Sequence, residues 1–304
     1  MNTKPFKYFL AAISAVVIWG TFAIPLRNLK EYSSEQILSY RTFISLLFTW
    51  GVILFFRKKQ IRADVAYLKS ESPASRKKIL WLVLSGGLLL GANWLVFIYV
   101  VNHVNLKSAA FAYMVCPLLT AIGGFFILRE KLSRLKVVAV GIALMSILIS
   151  AQGSLMDVLW SVFIATSFAL YLIIQRVIVK LDKINLLGIQ LAIISLLVLP
   201  IFLYRSQLFP VELNFWVNIF AIALLFTVIP LWLSSYSLIG LPSSTFGIII
   251  YLNPIIAFAT AFVYFDEEVR KEQLYAYALL LASVIIFNWD AISKIFNKKV
   301  IKYT

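Results

Sequence analysis

The chain contains a stretch of 53 residues, from Leu213 to Phe265, without a single charged side chain. A bilayer core about 30 Å thick is crossed by a helix of roughly 20 apolar residues, so this stretch is long enough for two crossings and a turn. Gly240, Leu241 and Pro242 supply the turn, because they interrupt the apolar run near its middle. A soluble domain cannot bury so much apolar sequence, and the chain is therefore predicted to be a polytopic membrane protein.

Composition and the spacing of the uncharged runs support this prediction. Hydrophobic residues make up 62% of the chain and charged residues 13%, about half the usual charged share of a soluble domain. Lipid offers no partner to open backbone groups, and the runs lack the two-residue alternation of a membrane barrel, so the predicted class is all-α. Ten transmembrane helices are predicted, at residues 8–26, 37–56, 79–101, 108–128, 134–150, 156–176, 185–203, 214–238, 243–265 and 273–289.

The basic residues indicate how these helices are oriented. With the N-terminus in the cytoplasm, the inner segments carry 21 Lys and Arg, the outer segments carry six, and Arg41 lies within the second helix. Cytoplasmic loops are enriched in Lys and Arg, so both termini are predicted to be cytoplasmic in a multi-pass protein of the bacterial inner membrane. Topology thus explains the net charge of +15, and no nucleic-acid partner is expected.

Residues 8–26 are too long for a typical signal-peptide core and are predicted to remain as the first helix.

The chain repeats itself at an offset of 137 residues. Four pairs of identical or similar residues are in register at this offset: Pro117 with Pro254, Ser108 with Thr245, Glu130 with Glu267, and Tyr99 with Tyr236. Each copy contains five predicted helices, an odd number, so the second copy must be inverted relative to the first. Inverted repeats are typical of secondary transporters, whose substrate site lies at the midplane where the repeats meet. The predicted domains are residues 8–150 and 156–289.

Two segments of the first copy resemble a known family. They are GANWLVFIYVVNHVNLKSAAFAYMVCPLL, from Gly91 to Leu119, and the later LREKLSRLKVVAVG. Both resemble the EamA-type drug/metabolite transporter superfamily, and the pair of Asn93 and Trp94 with the following VNHV is similar to its RarD group. The likeness covers essentially the whole chain and implies a ten-helix plasma-membrane permease that moves small metabolites or drugs, often outward. The second copy departs from the first at Glu268, where the first has Lys131, in a loop predicted to be extracytoplasmic.

Pro117 and Pro254 lie near the middle of the predicted fourth and ninth helices. Proline has no backbone N–H, so each leaves the carbonyl four residues earlier, on Tyr113 and Ile250, without its helical hydrogen bond. Such carbonyls are tolerated at membrane depth where protein or a water-filled cavity satisfies them. The two prolines are therefore candidates for a pair of symmetric hinges, with ordinary kinking of membrane helices as the alternative.

Arg41 is the one formal charge well inside a predicted helix. A buried arginine costs at least about 2.5 kcal/mol at the centre of a membrane helix. Arg41 lies about one turn from the outer end of its helix, which leaves two interpretations. Either its side chain extends to the lipid headgroups, or it faces a cavity and binds a carboxylate or another anionic group of a substrate.

Polar and aromatic side chains in the other helices complete the candidate substrate site. Ligand cavities are mostly apolar, with a few polar groups that fix the ligand. Asn93 and Asn253 would lose hydrogen bonds if they faced lipid, so with Trp94 they are expected to line one cavity between the halves. The same residue types also anchor helices at interfaces and link helices to each other. The predicted substrate-binding residues are Trp19, Arg41, Asn93, Trp94, Tyr99, Tyr113, Tyr171, Gln190, Ser234, Tyr236, Tyr251 and Asn253, with Gln175 and Ser235 as further polar residues of these helices.

Two other patterns have structural interpretations. Gly87 and Gly91 form a GxxxG pair, which is predicted to allow close helix packing within the bundle. Glu130 and Glu267 lie near helix ends and are interpreted as members of ion pairs with neighbouring arginines, with a gating or proton-transfer role as the alternative.

Residue types that the helices lack limit the mechanism. No Asp or Glu lies at mid-helix for a carboxylate relay, one His and one Cys leave little for a metal site, and the chain has no phosphate-binding GxxxxGK[S/T] loop. No cofactor, metal or catalytic residue is therefore expected.

The predicted function is a secondary transporter, and an exporter, of small organic metabolites or drugs by alternating access. The protein is expected to be a monomer or homodimer in the lipid bilayer. The alternatives are a membrane-embedded lipid-modifying enzyme and a non-transporting scaffold.

Overall fold

The computed structural model describes residues 3–129, 133–178, 180–204, 209–237, 240–241, 249–250, 252–268, 270–289 and 293. Every regular element within these ranges is helical, as the sequence predicts. In chain order the elements are α1 (Thr3–Gly20), α2 (Ala23–Arg27), α3 (Ser34–Phe56), α4 (Lys58–Ser70), α5 (Pro73–His103), α6 (Leu106–Leu128), α7 (Arg134–Gly153), α8 (Leu155–Val177), α9 (Lys183–Tyr204), α10 (Leu213–Phe220), the π-helix π1 (Ala221–Val228), α11 (Ile229–Ser237), α12 (Leu252–Ala259), the π-helix π2 (Thr260–Tyr264) and α13 (Lys271–Phe287).

Helices of membrane-spanning length account for much of the described chain. Seven are long and apolar enough to cross a bilayer: Phe6–Arg27, Ser34–Phe56, Pro73–His103, Leu106–Ile127, Leu155–Val177, Lys183–Tyr204 and Leu213–Ser234. Leu252–Tyr264 is a shorter apolar helix, and the predicted segments 134–150 and 273–289 coincide with α7 and α13. The described residues therefore form an all-helical, multi-pass membrane protein, while the count of ten crossings in two inverted repeats stays a prediction.

Large apolar side chains project from these helices. Leu47 of α3 is 72% exposed, Leu196 of α9 is 70% exposed, and Val263 of π2 is 75% exposed. A soluble monomer rarely exposes large apolar surfaces, whereas lipid tails are as apolar as leucine. These outward side chains are therefore suited to a surrounding bilayer.

The helices group into two compact units, and each unit combines segments from both copies of the sequence repeat. Unit 1 consists of Met1–Ala23, Val104–Ala165 and Ile229–Thr304, and unit 2 consists of Ile24–His103 and Thr166–Val228. Helix α8 contributes its first half, to Ala165, to unit 1 and its second half, from Thr166, to unit 2. The units of three-dimensional packing are thus different from the predicted repeats along the chain.

In unit 2, small residues bring α5 close to α9. A Cβ atom added to Gly87 would lie 3.1 Å from Ile193 Cγ2, and one added to Gly91 would lie 3.2 Å from Ile194 Cγ1. Larger side chains at these two positions would push α9 away. The GxxxG pair therefore serves close packing inside the unit, as predicted.

In unit 1, two reciprocal hydrogen bonds join α7 and α13. Ser146 Oγ donates to the Ala276 carbonyl at 2.6 Å, and Ser283 Oγ donates to the Ala139 carbonyl at 2.6 Å. Adding 137 to Ser146 gives Ser283, and adding 137 to Ala139 gives Ala276. The donor and acceptor of one bond are thus related to those of the other bond by the offset found in the sequence. A twofold relation between the two helices produces this pattern.

Glu267 has a role that the sequence does not predict, while its predicted ion pair with a neighbouring arginine stays a prediction. Its two carboxylate oxygens accept the backbone N–H groups of Leu106 and Lys107, at 2.9 and 3.3 Å. These donors open α6, where backbone N–H groups have no partner inside the helix and the helix dipole favours a negative charge. Glu267 therefore caps α6, and Asn105 caps the same helix by accepting from the Ser108 N–H at 2.7 Å. Glu130 lies outside the described residues.

Candidate functional site

Helix α3 buries an unusual number of polar side chains for a membrane helix. Unlike the lipid-facing side chains, these groups need partners inside the protein, because lipid supplies none. The buried polar residues of α3 are Ser34, Gln36, Ser39, Arg41, Thr42, Ser45 and Thr49. This helix is therefore the starting point for a functional site in unit 2.

Arg41 lies inside unit 2, where it is 5% exposed. Its guanidinium carbon is 3.9 Å from the centre of the Trp94 ring, a distance typical of a cation–π contact. Its Nε and Nη2 atoms both donate to Thr227 Oγ1, at 3.3 and 3.2 Å. Arg41 is thus buried within unit 2 and is not extended toward the surface, while the predicted cavity and its anionic ligand stay a prediction.

Thr227 is held in place by the π-helix to which it belongs. Its hydroxyl donates to the Ile222 carbonyl, five residues earlier, at 2.9 Å, so it can accept from Arg41 with its lone pairs. Ser45, one turn after Arg41 on α3, donates to the Ala223 carbonyl of the same π-helix at 3.4 Å. Isolated π-helical turns occur frequently at functional sites. Pro230 follows π1, and its missing N–H and bulky ring disfavour regular α-helix over the preceding turn.

Asn93, next to Trp94 on α5, is completely buried. Its Nδ2 atom donates to Ser167 Oγ of α8 at 3.2 Å. This contact lies within unit 2 and places a second polar pair beside the Arg41 and Trp94 pair. Asn253 belongs to unit 1, so the expected cavity shared by Asn93 and Asn253 stays a prediction.

A third polar group in unit 2 is built around Gln190 of α9, which is completely buried. Its Oε1 atom accepts from Tyr171 OH at 3.4 Å and from Gln175 Nε2 at 3.2 Å. Its Nε2 atom has no hydrogen-bond partner among the described residues. A Cβ atom at Gly86 would lie 2.6 Å from that nitrogen, so the glycine leaves room for the amide.

Helix α5 contributes to the first and second of these groups, and helix α8 contributes to the second and third; together they are called the unit-2 polar cluster. Ser167, Tyr171 and Gln175 recur at intervals of four residues, and therefore lie on one face of α8. The cluster consists of Arg41, Asn93, Trp94, Ser167, Tyr171, Gln175, Gln190 and Thr227. It offers one cation, neutral donors and acceptors, and aromatic rings, but no carboxylate or imidazole for proton transfer. Such a set is suited to reversible binding of a polar organic molecule.

Five of the predicted substrate-binding residues that the structure describes lie in unit 1: Trp19, Tyr113, Ser234, Tyr236 and Asn253. The hydroxyl of Ser234 is used within its own helix, because it donates to the Pro230 carbonyl at 2.6 Å. The Tyr236 ring stacks on Trp232, with centroids 5.7 Å apart. Within the described residues, no hydrogen bond or ring contact joins any two of Trp19, Ser234, Tyr236 and Asn253. The structure thus places Arg41, Asn93, Trp94, Tyr171 and Gln190 in one cluster, but it does not join these four.

Of the remaining predicted residues, Tyr99 is 41% exposed, and its ring lies 5.1 Å from that of His103. Tyr251 lies outside the described residues. Pro117 is in the middle of α6, and Pro254 is the third residue of α12. The Ile250 carbonyl, expected to lack a helical bond, accepts the Asn253 N–H at 3.1 Å, which is the tighter bond of a turn rather than that of an α-helix.

A separate ionic network joins the segment after α3 to the start of α9. Arg57 Nη2 lies 2.5 Å from Asp182 Oδ2, and Asn185 Nδ2 donates to Asp64 Oδ2 at 2.6 Å. In the same segment, hydrogen bonds from Ser75 and Tyr67 hold the pKa of the Glu71 carboxyl below its ordinary value. The network ties α4 to the bundle and does not belong to the unit-2 polar cluster.

Ser167 and Thr227 of the cluster are not among the residues predicted from the sequence. Both are small hydroxyl residues in apolar runs, a setting in which such side chains usually bond their own helix. The one signal for Thr227 is its position three residues before Pro230, which marks a distorted turn. Ser167 has no comparable signal, because its role depends on the position of Asn93.

A multi-pass helical protein with polar groups and a cation buried among its helices has the features of a membrane transport protein. The chain belongs to the EamA-like transporter family, whose profile matches residues 6–152 and again 155–289. It is therefore a membrane transporter, and the resemblance to RarD noted in the sequence is confirmed by the relatives.

Three relatives illustrate the similarity. The uncharacterized transporter YojE of Bacillus subtilis is 28% identical, over 91% of this chain and 91% of its own length. The RarD proteins of Streptomyces exfoliatus and Escherichia coli are 27% and 26% identical, each over 93% of this chain and over 88% and 94% of their own lengths. A solved crystal structure with 17% identity has a TM-score of 0.59 and covers 92% of this chain and 96% of its own; it supports the fold alone.

Proposed function

We propose that this transporter is a secondary carrier that exports small organic metabolites or drugs across the bacterial inner membrane by alternating access. The observation that carries this proposal is the unit-2 polar cluster, which buries Arg41, Asn93 and Gln190 in helices of membrane-spanning length. Burying these groups is unfavourable, so their presence points to a use. Because the family consists of transporters, we infer that these groups bind a polar substrate inside the membrane.

Alternating access is supported by the repeat. Inverted halves allow one fold to open to either side of the membrane with little change in internal energy. The reciprocal bonds of Ser146 and Ser283, related by the offset of 137 residues, are what such a repeat would produce. The proposed substrate-binding residues remain those predicted from sequence. Five of them belong to the unit-2 polar cluster: Arg41, Asn93, Trp94, Tyr171 and Gln190.

The proposal is tested by transport in proteoliposomes that contain the purified protein. A labelled panel of amino acids, sugars, aromatic acids and drugs is loaded inside, and efflux is compared with that from protein-free liposomes. We expect saturable efflux of at least one class, competed by the unlabelled compound. Efflux that never exceeds that of empty liposomes for any class would contradict the proposal.

The proposed hinges are tested by replacing Pro117 and Pro254 together with alanine. Alanine supplies the missing N–H and can restore the helical hydrogen bonds, so we expect the exchange between inward and outward states to slow by about tenfold, while the protein stays folded. The measurement is counterflow of the substrate identified in liposomes, beside the thermal midpoint. Replacement of Pro200, which lies inside α9, by alanine is the control. Normal counterflow in the double variant would show that the prolines only shape the helices.

The proposed orientation is tested at the C-terminus. A reporter enzyme that is active only outside the cytoplasm, fused after Thr304, should be inactive, and a green fluorescent reporter at the same point should fluoresce. The reason is the distribution of 21 basic residues on the proposed inner side against six on the outer side. The opposite pair of results would reverse the topology.

A further inference from the structure

We infer that the transported substrate carries a carboxylate, and that the Nε and Nη2 edge of Arg41 binds it. This inference rests on the proposed function, and it names the chemical class of the substrate. Three observations carry it: the burial of the guanidinium, the way Thr227 occupies one of its edges, and the position of Trp94 over its face.

The first observation is the charge itself. Arg41 is 5% exposed and lies within a helix of membrane-spanning length. Thr227 and Trp94, which contact it, are neutral groups that orient the cation. Charges interact far more strongly in a protein interior than in water. A small anion that reaches this guanidinium therefore gains much more than it would at the surface.

The second observation is the geometry of the occupied edge. Nε and Nη2 point the same way, and both donate to the single oxygen Thr227 Oγ1, at 3.3 and 3.2 Å. A planar carboxylate has two oxygens that match these two donors, and such bidentate pairs are shorter and stronger than bonds to a neutral hydroxyl. Thr227 thus acts as a neutral substitute that an incoming carboxylate can replace.

The third observation is that Trp94 covers a face of the guanidinium, with its ring centre 3.9 Å from the guanidinium carbon. The stacking keeps the guanidinium plane fixed and leaves ligand contacts to the edges in that plane. Lysine at this position could not reproduce the fork, because its ammonium is a point charge. The site therefore distinguishes a carboxylate from a neutral amide or ester of the same shape.

The inference is tested by ligand-dependent thermal unfolding of the full-length protein in phosphatidylcholine nanodiscs. The probes are matched pairs: phenylacetate and phenylacetamide, benzoate and benzamide, lactate and lactamide. For wild type we expect at least one carboxylate to bind about tenfold or more tightly than its amide, since a charge-assisted bidentate contact is lost in the amide. Arg41→Gln should reduce this ratio to about one. Arg41→Lys, which keeps the charge, should retain only part of it.

The control variant is Arg62→Gln. Arg62 is an exposed residue of α4, and its replacement changes the net charge by the same amount as Arg41→Gln without affecting the cluster. The control should keep the wild-type ratio. Equal binding of acid and amide by wild type, or an undiminished ratio in Arg41→Gln, overturns the inference. If Arg41→Gln does not fold, an undiminished ratio in Arg41→Lys overturns it.

Two further arms separate related outcomes. In nanodiscs containing phosphatidylglycerol, a rise in the midpoint of wild type but not of the Arg41 variants, without a preference for the carboxylate, would assign the guanidinium to lipid phosphate and overturn the inference. In proteoliposomes, transport of the amides but not of the acids would overturn the inference and leave the proposed function standing. Transport of neither by a protein that also moves no other member of the wider panel would instead contradict the proposed function.

Discussion

Replacing Gly20 with valine is expected to lower the free energy of unfolding by about 3 kcal/mol or more and to reduce the yield of folded protein severely. A Cβ atom at Gly20 would lie 2.6 Å from both Cβ and Cγ2 of Ile256, and 3.4 Å from the Asn253 carbonyl oxygen. These atoms are close to or part of the α12 backbone and cannot rotate away. Helices α1 and α12 would therefore have to separate within unit 1, which places this change at the upper end of the cost of overpacking.

The matched control is Gly141→Val in α7, which belongs to the same unit. A Cβ atom at Gly141 meets nothing within 4 Å among the described residues, so the added side chain has space, and we expect a change within about 0.5 kcal/mol. The measurement is thermal or denaturant unfolding of both variants in detergent, followed by tryptophan fluorescence. Equal midpoints for the two variants would show that the contact between Gly20 and Ile256 does not limit the packing of unit 1.

The all-helical membrane class could be predicted from sequence, because long charge-free runs in a chain of this composition are stable only as helices in a membrane. The side of each helix that faces inward could not be predicted. In a soluble helix, the apolar face marks the core, but in lipid both faces are apolar, so Leu47, which is 72% exposed, and Ile53, which is 1% exposed, look alike in the α3 sequence. Only polar residues break this symmetry: Asn93, which the sequence predicts to face inward, is completely buried, whereas Arg41 keeps two interpretations until its partners are known.

Details of the cluster depend on partners that are distant in sequence. Arg41 allowed two interpretations from the sequence. Its buried position depends on Thr227, which is 186 residues away, and on Trp94 on a third helix. The two π-helices could not be predicted either, because their wider turns are stabilised by tertiary contacts such as that of Ser45 with the Ala223 carbonyl. The cap that Glu267 forms on α6 could not be predicted either, because charge pairing between neighbours is visible in a sequence and a capping contact with a distant helix is not.

Replacing Thr227 with valine is expected to destabilise the ligand-free protein by about 1–3 kcal/mol and, unlike most changes in a binding site, to increase the stabilisation that a carboxylate substrate produces. Valine has nearly the same shape but neither accepts from Arg41 nor donates to the Ile222 carbonyl. A buried charged donor that loses its acceptor carries the full cost of that loss. A bound carboxylate would supply the missing acceptor, so part of the lost stability should return.

Thr49→Val provides the control for this change. Thr49 is also on α3 and 3% exposed, but its hydroxyl has no hydrogen-bond partner among the described residues, so valine should be neutral or slightly stabilising there. The measurement is the thermal midpoint of wild type and both variants in phosphatidylcholine nanodiscs, with and without the best carboxylate of the panel. Because that ligand takes the position of the Thr227 hydroxyl in the proposed site, its shift should be larger in Thr227→Val than in wild type, and unchanged in Thr49→Val. A smaller ligand-induced rise of the midpoint in Thr227→Val than in wild type would mean that the Thr227 hydroxyl contacts the bound substrate and is not displaced from Arg41 by it.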